Sequence, residues 1–285
     1  MLWGVFVKIE EALAACEDTV RRFDPDRYFA SLFAPAAHRP HLFVLYAFNY
    51  EVARLGERSR EPMLGAIRLQ WWREAVEQAR DGRPREHPVT IGLADLFART
   101  SLPPALFEAL LDAREFDLVP DTFADRAALE SYCDATSSGL MRMTACVLEA
   151  DAAAEPFLHH AGIAYALAGL LRAIPFHAAR RKLYLPLDTL AGENVSAEEI
   201  FAGRNSPALK RVVQGLANCA YGHLKSAREN APQRETLIAA LPAALVPLYL
   251  KRVTRRGFNL FRESSDVALF RRQLQLLRAA TFGTL

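Results

Sequence analysis

The sequence predicts an all-α protein, because apolar residues recur at helical spacing and prolines separate the segments that carry them. Leu64, Ile67 and Trp71, for example, lie three and four residues apart, as on one face of a helix. Asp81-Gly82 has the form of a hairpin turn, but no alternating apolar strands flank it. Prolines are expected near helix starts and ends, and those that divide the chain are Pro25, Pro35, Pro62, Pro84, Pro88, Pro103, Pro104, Pro156, Pro175, Pro186, Pro207 and Pro232.

Two long uncharged runs predict buried helices rather than membrane spans. Pro156–Leu171 contains two histidines, and Thr236–Leu250 is interrupted by two prolines. Neither run reaches the roughly 20 apolar residues that a helix needs to cross a bilayer. The stretch Arg80–Pro88 is charged and contains glycine and proline, which is typical of a surface loop. No linker or repeat divides the chain, so we expect one domain over residues 1–285.

The composition and the cysteine positions limit the class of protein and the compartment that the sequence predicts. The formal net charge is +2 and the basic residues are scattered, which argues against nucleic-acid binding. A hydrophobic content of 51% supports a substantial core. Leu2–Val7 is apolar but short and has no basic leader, so no export signal is expected. The cysteines lie far apart and without a C-x-x-C pair, which favours buried, reduced thiols in a cytoplasmic protein over disulfides or a zinc site; they are Cys16, Cys133, Cys146 and Cys219.

The end of the chain predicts an amphipathic helix over about residues 264–282. A basic amphipathic helix either docks its apolar face on the core or lies on an anionic membrane surface. Docking is the commoner arrangement, and contact with the inner membrane is the alternative. The apolar face comprises Val267, Phe270, Leu274 and Leu277, and the basic face comprises Arg271, Arg272 and Arg278.

Several blocks, in a consistent order, resemble the squalene/phytoene synthase family over about residues 26–261. No single block is specific, but their order is. The resemblance implies a single-domain, isoprenoid (terpenoid) synthase-like helical bundle around a central cavity. The blocks are Asp26–Pro35 (DRYFASLFAP), Leu45–Glu57 (LYAFNYEVARLGE), Ile67–Arg73 (IRLQWWR), Tyr132–Leu140 (YCDATSSGL), Tyr184–Pro186 with Asp188, and Arg252–Phe261 (RVTRRGFNLF).

The resemblance implies two metal-binding helices, and this sequence departs from both. Active members of the family condense two prenyl diphosphates head to head and hold Mg²⁺ between two acidic helices. In the first motif Ala53 and Glu57 stand where two acids are expected, with Arg54 between them. The family's basic residue three positions earlier is Tyr50 here. An arginine beside a would-be Mg²⁺ ligand opposes metal binding by like charge.

The second motif lies in Leu167–Asp188 and lacks its aspartates. Ala173 and His177 occupy the two aspartate positions, four residues apart and therefore on one helix face. Gly169 replaces the amide or acidic residue one turn earlier. Alanine cannot bind a metal, and imidazole suits softer metals than Mg²⁺. We therefore expect no catalytic residues and no metal at these positions.

A closer resemblance rests on the string Leu171–Lys182 (LRAIPFHAARRK). The branch of the superfamily whose members assist assembly of respiratory complex I carries a similar string and also lacks the aspartates. The resemblance implies complex I subunits or assembly intermediates as partners. Within the string Pro175 removes a helix hydrogen bond, so we expect the helix to end near Ile174.

The densest basic group of the chain comprises Arg172, Arg180, Arg181 and Lys182, here named the basic strip. Such cations bind a diphosphate, a phospholipid head group or an acidic partner, or else lie in a solvated loop. The family places this strip beside its cavity mouth, so a prenyl or lipid ligand in the cavity is a further expectation. The residues expected to bind a ligand or partner are Arg68, Arg172, Arg180, Arg181, Lys182 and Tyr184.

Three functions remain open from the sequence. The favoured one is a non-catalytic protein that assists assembly of complex I, the NADH dehydrogenase, in the cytoplasm or peripherally on the inner membrane. The second is an active prenyltransferase of the squalene or phytoene synthase type, which alone would require Mg²⁺ as cofactor. The third is a module that binds a lipid or prenyl group without catalysis. The loss of the metal residues, together with the string at Leu171–Lys182, favours the first.

Overall fold

The computed structural model describes residues 2–58, 61–151, 154–230 and 234–285, with the side chains of all of these except 2–7, 57 and 58. Every regular element among the described residues is helical and none is a strand, so the all-α prediction is confirmed. Two 3-10 turns, Phe116–Leu118 and Leu241–Leu245, and a π-turn at Asp134–Ser138 lie between the α-helices. The helices are α1 (Leu2–Phe23), α2 (Pro25–Ser31), α3 (Arg39–Ala53), α4 (Leu55–Arg58), α5 (Pro62–Arg80), α6 (Pro88–Arg99), α7 (Pro104–Glu115), α8 (Arg126–Cys133), α9 (Gly139–Val147), α10 (Glu155–Arg172), α11 (Ile174–Ala178), α12 (Leu187–Gly192), α13 (Ala197–Phe201), α14 (Pro207–Glu229), α15 (Arg234–Ala239), α16 (Val246–Val253) and α17 (Leu269–Phe282).

Prolines start many of these helices, as the sequence predicted. The first turn of a helix has no partner for its N–H groups, so a residue without an N–H fits there. Side chains that accept from backbone N–H groups complete several starts; Ser206, for example, accepts from the N–H of Leu209 at 3.1 Å. The predicted surface loop lies between α5 and α6. Among the described helices of seven or more residues, the prolines in a first turn are Pro25, Pro40, Pro62, Pro88, Pro104, Pro156, Pro207 and Pro247.

The chain divides into two compact units. The first unit contains Met1–Val119, Gly139–Ala152 and Gln233–Ala239, and the second contains Pro120–Ser138, Ala153–Pro232 and Ala240–Leu285. Within the described ranges, no helix combines the length and apolar composition that a membrane span requires. The expectation of one domain over residues 1–285 stays a prediction.

Helix α3 forms the core of the first unit. Every residue from Leu42 to Asn49 is buried, so this stretch is enclosed rather than amphipathic. Phe48 packs against Trp72 of α5 and Phe107 of α7, with ring centroids 5.6 and 5.4 Å away. These aromatic contacts fix the part of α3 that leads into the first motif.

Helix α5 has apolar residues on two faces, and the face that carries Leu64 and Ile67 is largely exposed. Trp72 is buried, whereas Leu64 and Ile67 are 47% and 59% exposed. A Cβ at Gly65 would lie 2.7 Å from a methyl group of Leu118, so the neighbouring turn approaches the helix at its glycine. The buried face carries Gly65, Leu69 and Trp72, so the close approach at the glycine decides which of the two apolar faces packs against the unit.

The second unit is organised by α10, which packs against α14, α16 and the π-turn. At Gly162 the helix and the turn meet so closely that a Cβ would collide with the backbone and hydroxyl of Ser138. The Ser138 hydroxyl donates to the carbonyl oxygen of His159 at 2.8 Å and fastens this contact. Glycine is therefore required at position 162 for close packing.

Helix α17 begins at Leu269, later than the predicted start at residue 264. The carbonyl oxygen of Ser264 accepts hydrogen bonds from the guanidinium of Arg252 at 3.1 and 3.2 Å. The Ser264 hydroxyl accepts from the N–H of Asp266 at 3.1 Å. Local bonds of this kind compete with helical ones, which explains the later start.

We predict that Gly162→Ala lowers the free energy of unfolding by about 1–3 kcal/mol, because overpacking at this contact forces the backbone to shift. Gly215→Ala is the matched control, since a Cβ at this exposed position of α14 meets no atom within 4 Å. It should raise the free energy of unfolding by roughly 0.5–1 kcal/mol through helix propensity. Urea denaturation measures both values, and equal effects of the two changes would contradict the packing account.

Candidate functional site

The first motif lies where α3 ends. The helix stops at Ala53, Arg54 adopts a turn conformation at φ −88° and ψ −2°, and the single turn α4 follows. The predicted helix from Leu45 to Glu57 is therefore interrupted between its two acidic-type positions. The side chain of Glu57 lies outside the described residues.

Arg54 is held at this motif by two aromatic rings. Its guanidinium carbon lies 4.7 Å from the ring centroid of Tyr50 and 5.8 Å from that of Phe23, and the two rings stack at 4.7 Å. Arg54 also donates a hydrogen bond to the Tyr50 hydroxyl. Two unit positive charges about 4 Å apart near a protein surface repel each other by on the order of 4 kcal/mol. A fixed arginine therefore opposes Mg²⁺ at this position.

A buried ion pair lies below the same part of α3. Arg114 of α7 contacts Asp117 at 3.0 Å, with 14% and 6% of the two side chains exposed, and donates to the Asn49 amide oxygen at 3.4 Å. A Cβ at Gly56 would collide with the carbonyl oxygen of Asp117, so α4 lies directly on this turn. The sequence does not reveal that this ion pair meets α3, because Arg114 and Asn49 lie 65 residues apart in the chain.

The second motif lies where α10 ends. The helix stops at Arg172, Ala173 caps it at φ −87° and ψ 2°, and α11 begins at Ile174. This confirms the predicted helix end near Ile174, because Pro175 has no N–H to donate to the Leu171 carbonyl oxygen. The Arg172 carbonyl oxygen accepts from the Ser265 hydroxyl at 3.3 Å.

The three degenerate positions of this motif remain stacked along one face. The N–H of Ala173 donates to the Gly169 carbonyl oxygen at 3.0 Å, and the N–H of His177 donates to the Ala173 carbonyl oxygen at 2.9 Å. Gly169 is exposed and a Cβ there meets no atom within 4 Å, so packing does not exclude an acidic residue. The frame for a metal site is therefore retained, while glycine, alanine and imidazole do not fit Mg²⁺.

Arg172 contacts the protein itself. Its guanidinium carbon lies 3.7 Å from the ring centroid of the buried Tyr249, and one nitrogen lies 3.6 Å from a carboxylate oxygen of Asp266. A cation over a desolvated aromatic face contributes about 2 kcal/mol. Its position therefore stabilises the packing of α16 against the end of α10.

The rest of the basic strip is more accessible. Arg180 is exposed and lies over the Phe176 ring at 3.6 Å, while Arg181 pairs with Glu198 where both side chains are largely exposed. Arg181 has a φ of 53°, and its guanidinium lies 4.7 Å from the Phe201 ring centroid. The Lys182 ammonium donates to the Asp121 carbonyl oxygen at 3.2 Å. Exposed ion pairs contribute at most about 1 kcal/mol, so these charges remain accessible to a partner.

Tyr184 and Arg68, the other predicted binding residues, lie in different units. Tyr184 is half-buried against His177, with ring centroids 4.4 Å apart, and against Phe123 and Tyr132 at 6.2 and 5.9 Å. Arg68 is exposed on α5 of the first unit. The structure thus places Tyr184 beside the second motif and leaves Arg68 on the surface of its own unit.

A polar cluster that the sequence did not reveal lies in the second unit. The Cys219 thiol donates to the Glu130 carboxylate at 3.1 Å, and the Nδ1 atoms of His160 and His223 lie 2.9 Å apart. Burial is the main cause that lowers the pKa of His160 and of His223. Burial and the Glu130 carboxylate raise the pKa of Cys219 to about 12. The available signal was the four-residue spacing of Cys219 and His223, which puts both on one face of α14.

Known proteins share the fold of this chain, and the likeness extends over most of its length. The structure of a dehydrosqualene synthase in complex with a ligand aligns with a TM-score of 0.85 and 19% identity, covering 98% of both chains. Complex I assembly factor 6 of Bos taurus is 32% identical over 254 residues, which are 87% of this chain and 76% of that protein. Phytoene synthase of Thermus thermophilus is 33% identical over 215 residues, which are 70% of this chain and 72% of that protein.

The helical architecture is that of the all-α terpenoid synthases. The family model for squalene/phytoene synthase matches residues 20–279, and the chain belongs to this family. The fold and family expectations are thereby confirmed. The relatives include both complex I assembly factors and enzymes. The family alone therefore does not distinguish the two functions, and the residues at the two motifs are the remaining evidence.

We predict that the purified chain does not bind Mg²⁺ tightly at the two motifs, even with farnesyl diphosphate present. Ala53 and Ala173 provide no ligand and Arg54 adds a positive charge, whereas Mg²⁺ requires an octahedral set of oxygen ligands. Isothermal titration calorimetry measures this binding. Micromolar Mg²⁺ affinity that disappears in Glu57→Ala would overturn the prediction.

Proposed function

We propose that this chain is a non-catalytic member of the squalene/phytoene synthase family that assists assembly of respiratory complex I, the NADH dehydrogenase. The observation that carries the proposal is the second motif, where Gly169, Ala173 and His177 keep the helical stacking of a metal site without a ligand suited to Mg²⁺. The likeness to complex I assembly factor 6 over 87% of the chain supports the same function.

An active prenyltransferase is the alternative that the likeness to phytoene synthase supports. Ionisation of an allylic diphosphate requires metals and cations that stabilise the leaving group. The residues at the two motifs do not fit the metals, and Arg172, a cation near the second motif, is engaged with Tyr249. The alternative is therefore less well supported.

The basic strip is the contact surface that we propose for complex I subunits or assembly intermediates. Arg180 and Arg181 are exposed on the short segment after α11, and Lys182 adds a third charge beside them. Guanidinium groups pair with carboxylates in a planar, bidentate geometry, which suits an acidic protein surface. Arg172, the fourth residue of the basic strip, is not part of the proposed contact surface, because its guanidinium is stacked on Tyr249.

We predict that Arg180→Glu with Arg181→Glu folds but fails to restore complex I in a strain lacking this gene. The stability cost should stay small, because exposed ion pairs such as Arg181–Glu198 contribute at most about 1 kcal/mol. The readouts are NADH:quinone oxidoreductase activity and the amount of assembled complex I on native gels. The wild-type chain should restore both.

The matched control for this experiment is Lys210→Glu with Arg211→Glu on α14. It makes the same charge change on two adjacent exposed residues, one of which, Arg211, pairs with the half-buried Glu193 at 2.6 Å. This control should restore complex I. Aspartates introduced at positions 53, 173 and 177 should give no more complex I than the wild type. Full restoration by the Arg180/Arg181 variant would place the contact surface elsewhere.

We also propose that the chain lies in the cytoplasm and binds the inner membrane peripherally through α17. The helix docks on its own unit through the buried residues Leu276 and Ala279. Its opposite face is apolar, with Phe270, Leu274 and Leu277 exposed by 71%, 43% and 51%. The exposed residues Arg271 and Arg278 flank this face, an arrangement that suits an anionic bilayer surface.

We predict that the chain sediments with vesicles of phosphatidylglycerol and phosphatidylcholine more strongly than with phosphatidylcholine alone. Leu274→Glu with Leu277→Glu should weaken this binding by more than tenfold, because burial of each leucine contributes about 1.5–3 kcal/mol. Met63→Glu with Ile67→Glu changes two exposed apolar residues of α5 and should bind as the wild type does. Equal binding by all three proteins would show that α17 does not contact the membrane.

A further inference from the structure

The cluster of Glu130, Cys219 and His223 in the second unit has the composition and spacing of a metal site. Cys219 and His223 lie four residues apart on α14, and Glu130 approaches them from α8. One ligand atom from each residue lies within 4.8 Å of the other two. The Cys219 Sγ is 3.1 Å from Glu130 Oε1, and the His223 Nε2 is 3.7 Å from Glu130 Oε2.

These distances suit one tetrahedral ion. Zinc binds sulfur at about 2.3 Å, histidine nitrogen at about 2.0–2.1 Å and carboxylate oxygen at about 2.0–2.2 Å. Tetrahedral angles then place pairs of ligand atoms about 3.3–3.7 Å apart. The contacts of Cys219 and His223 with Glu130, at 3.1 and 3.7 Å, are close to this spacing but involve different carboxylate oxygens, so the carboxylate has to turn one oxygen towards the ion. The ligand atoms of Cys219 and His223 lie within 4.8 Å of each other and have to approach the ion together. A thiolate with an imidazole selects zinc over the oxygen-loving Mg²⁺ and Ca²⁺.

His160 supports the orientation of His223. The Nδ1 atoms of the two rings lie 2.9 Å apart, while the Nε2 of His223 faces Glu130. A proton on Nδ1 of His223 that is donated to His160 leaves the Nε2 lone pair of His223 directed at the cluster. Zinc-binding histidines characteristically donate a hydrogen bond from the N–H of the ring nitrogen that does not bind the metal, and this bond fixes the tautomer.

The guanidinium of Arg126 opposes a cation here. Its Nε lies 3.2 Å from Glu130 Oε1, but 62% of its side chain is exposed. A long exposed side chain can move into solvent when an ion takes its place, and its ion pair contributes little. The three ligand side chains are themselves only half-buried, so an ion can enter from solvent.

We propose that Glu130, Cys219 and His223 bind a zinc ion, with His160 as the positioning residue and the fourth position open to water. On binding, the S–H bond of Cys219 breaks, its proton passes to solvent, and the thiolate sulfur forms the bond to zinc. The zinc site is independent of the two motifs at Ala53 and Ala173, and it does not rest on the proposed assembly function.

The test is a Zn²⁺ titration of the full chain after metal removal, followed by competition with a chromophoric chelator. One equivalent should bind, and Co²⁺ in its place should show thiolate-to-cobalt charge-transfer absorption. Cys219→Ser and His223→Ala should each reduce Zn²⁺ affinity at least tenfold and abolish that absorption or shift it. His160→Ala should reduce affinity by about 10–100-fold and keep the charge-transfer band, as expected of a positioning residue.

Cys146→Ser is the matched control, because Cys146 is also a half-buried free cysteine but lies outside the cluster. It should bind Zn²⁺ and Co²⁺ as the wild type does, and circular dichroism should confirm that every variant folds. Failure of the wild type to bind one equivalent of Zn²⁺ would overturn the proposal. So would unchanged affinity in Cys219→Ser, or an equal loss in Cys146→Ser.

Discussion

The missing N–H of Pro175 determines how α10 ends, and the geometry around the second motif follows from it. In a continuous helix the N–H of residue 175 would donate to the Leu171 carbonyl oxygen, and Pro175 removes that bond. The helix stops at Arg172, whose carbonyl oxygen takes a hydrogen bond from the Ser265 hydroxyl. With the helix ended, the Arg172 guanidinium stacks on the buried ring of Tyr249. The guanidinium of Arg172, which lies near the motif, therefore contributes to packing within the second unit.

The two motifs depart from a metal site in different physical ways, since the second lacks both acids and the first keeps one, Glu57. At the second motif the backbone still stacks Gly169, Ala173 and His177, and a Cβ at position 169 would meet no atom within 4 Å. At the first motif the change is electrostatic, because Arg54 is fixed over the Tyr50 ring. Retained geometry together with lost or reversed charge is the expected result when a fold is kept for packing and binding rather than for metal chemistry.

Local features were predictable from the sequence, and contacts between distant residues were not. Prolines in the first turn of a helix and the end of α10 at Pro175 depend on the backbone of a few residues, so their sequence signals are direct. The identity of the motif residues is likewise visible without a structure. The stack of Arg172 on Tyr249, and the contact of Cys219 with Glu130 across 89 residues, depend on how helices pack. Helix α5 shows the same limit, since two apolar faces compete and a close approach at Gly65 decides between them.

We propose that the chain, which keeps the fold of the squalene/phytoene synthases, does not carry out their chemistry. The most direct measurement is release of diphosphate from farnesyl and geranylgeranyl diphosphate in the presence of Mg²⁺, with an active phytoene synthase as positive control. The account predicts no release above that of a protein-free blank, and no prenyl product. Metal-dependent turnover by the wild-type chain, lost on substitution of Glu57, would contradict it.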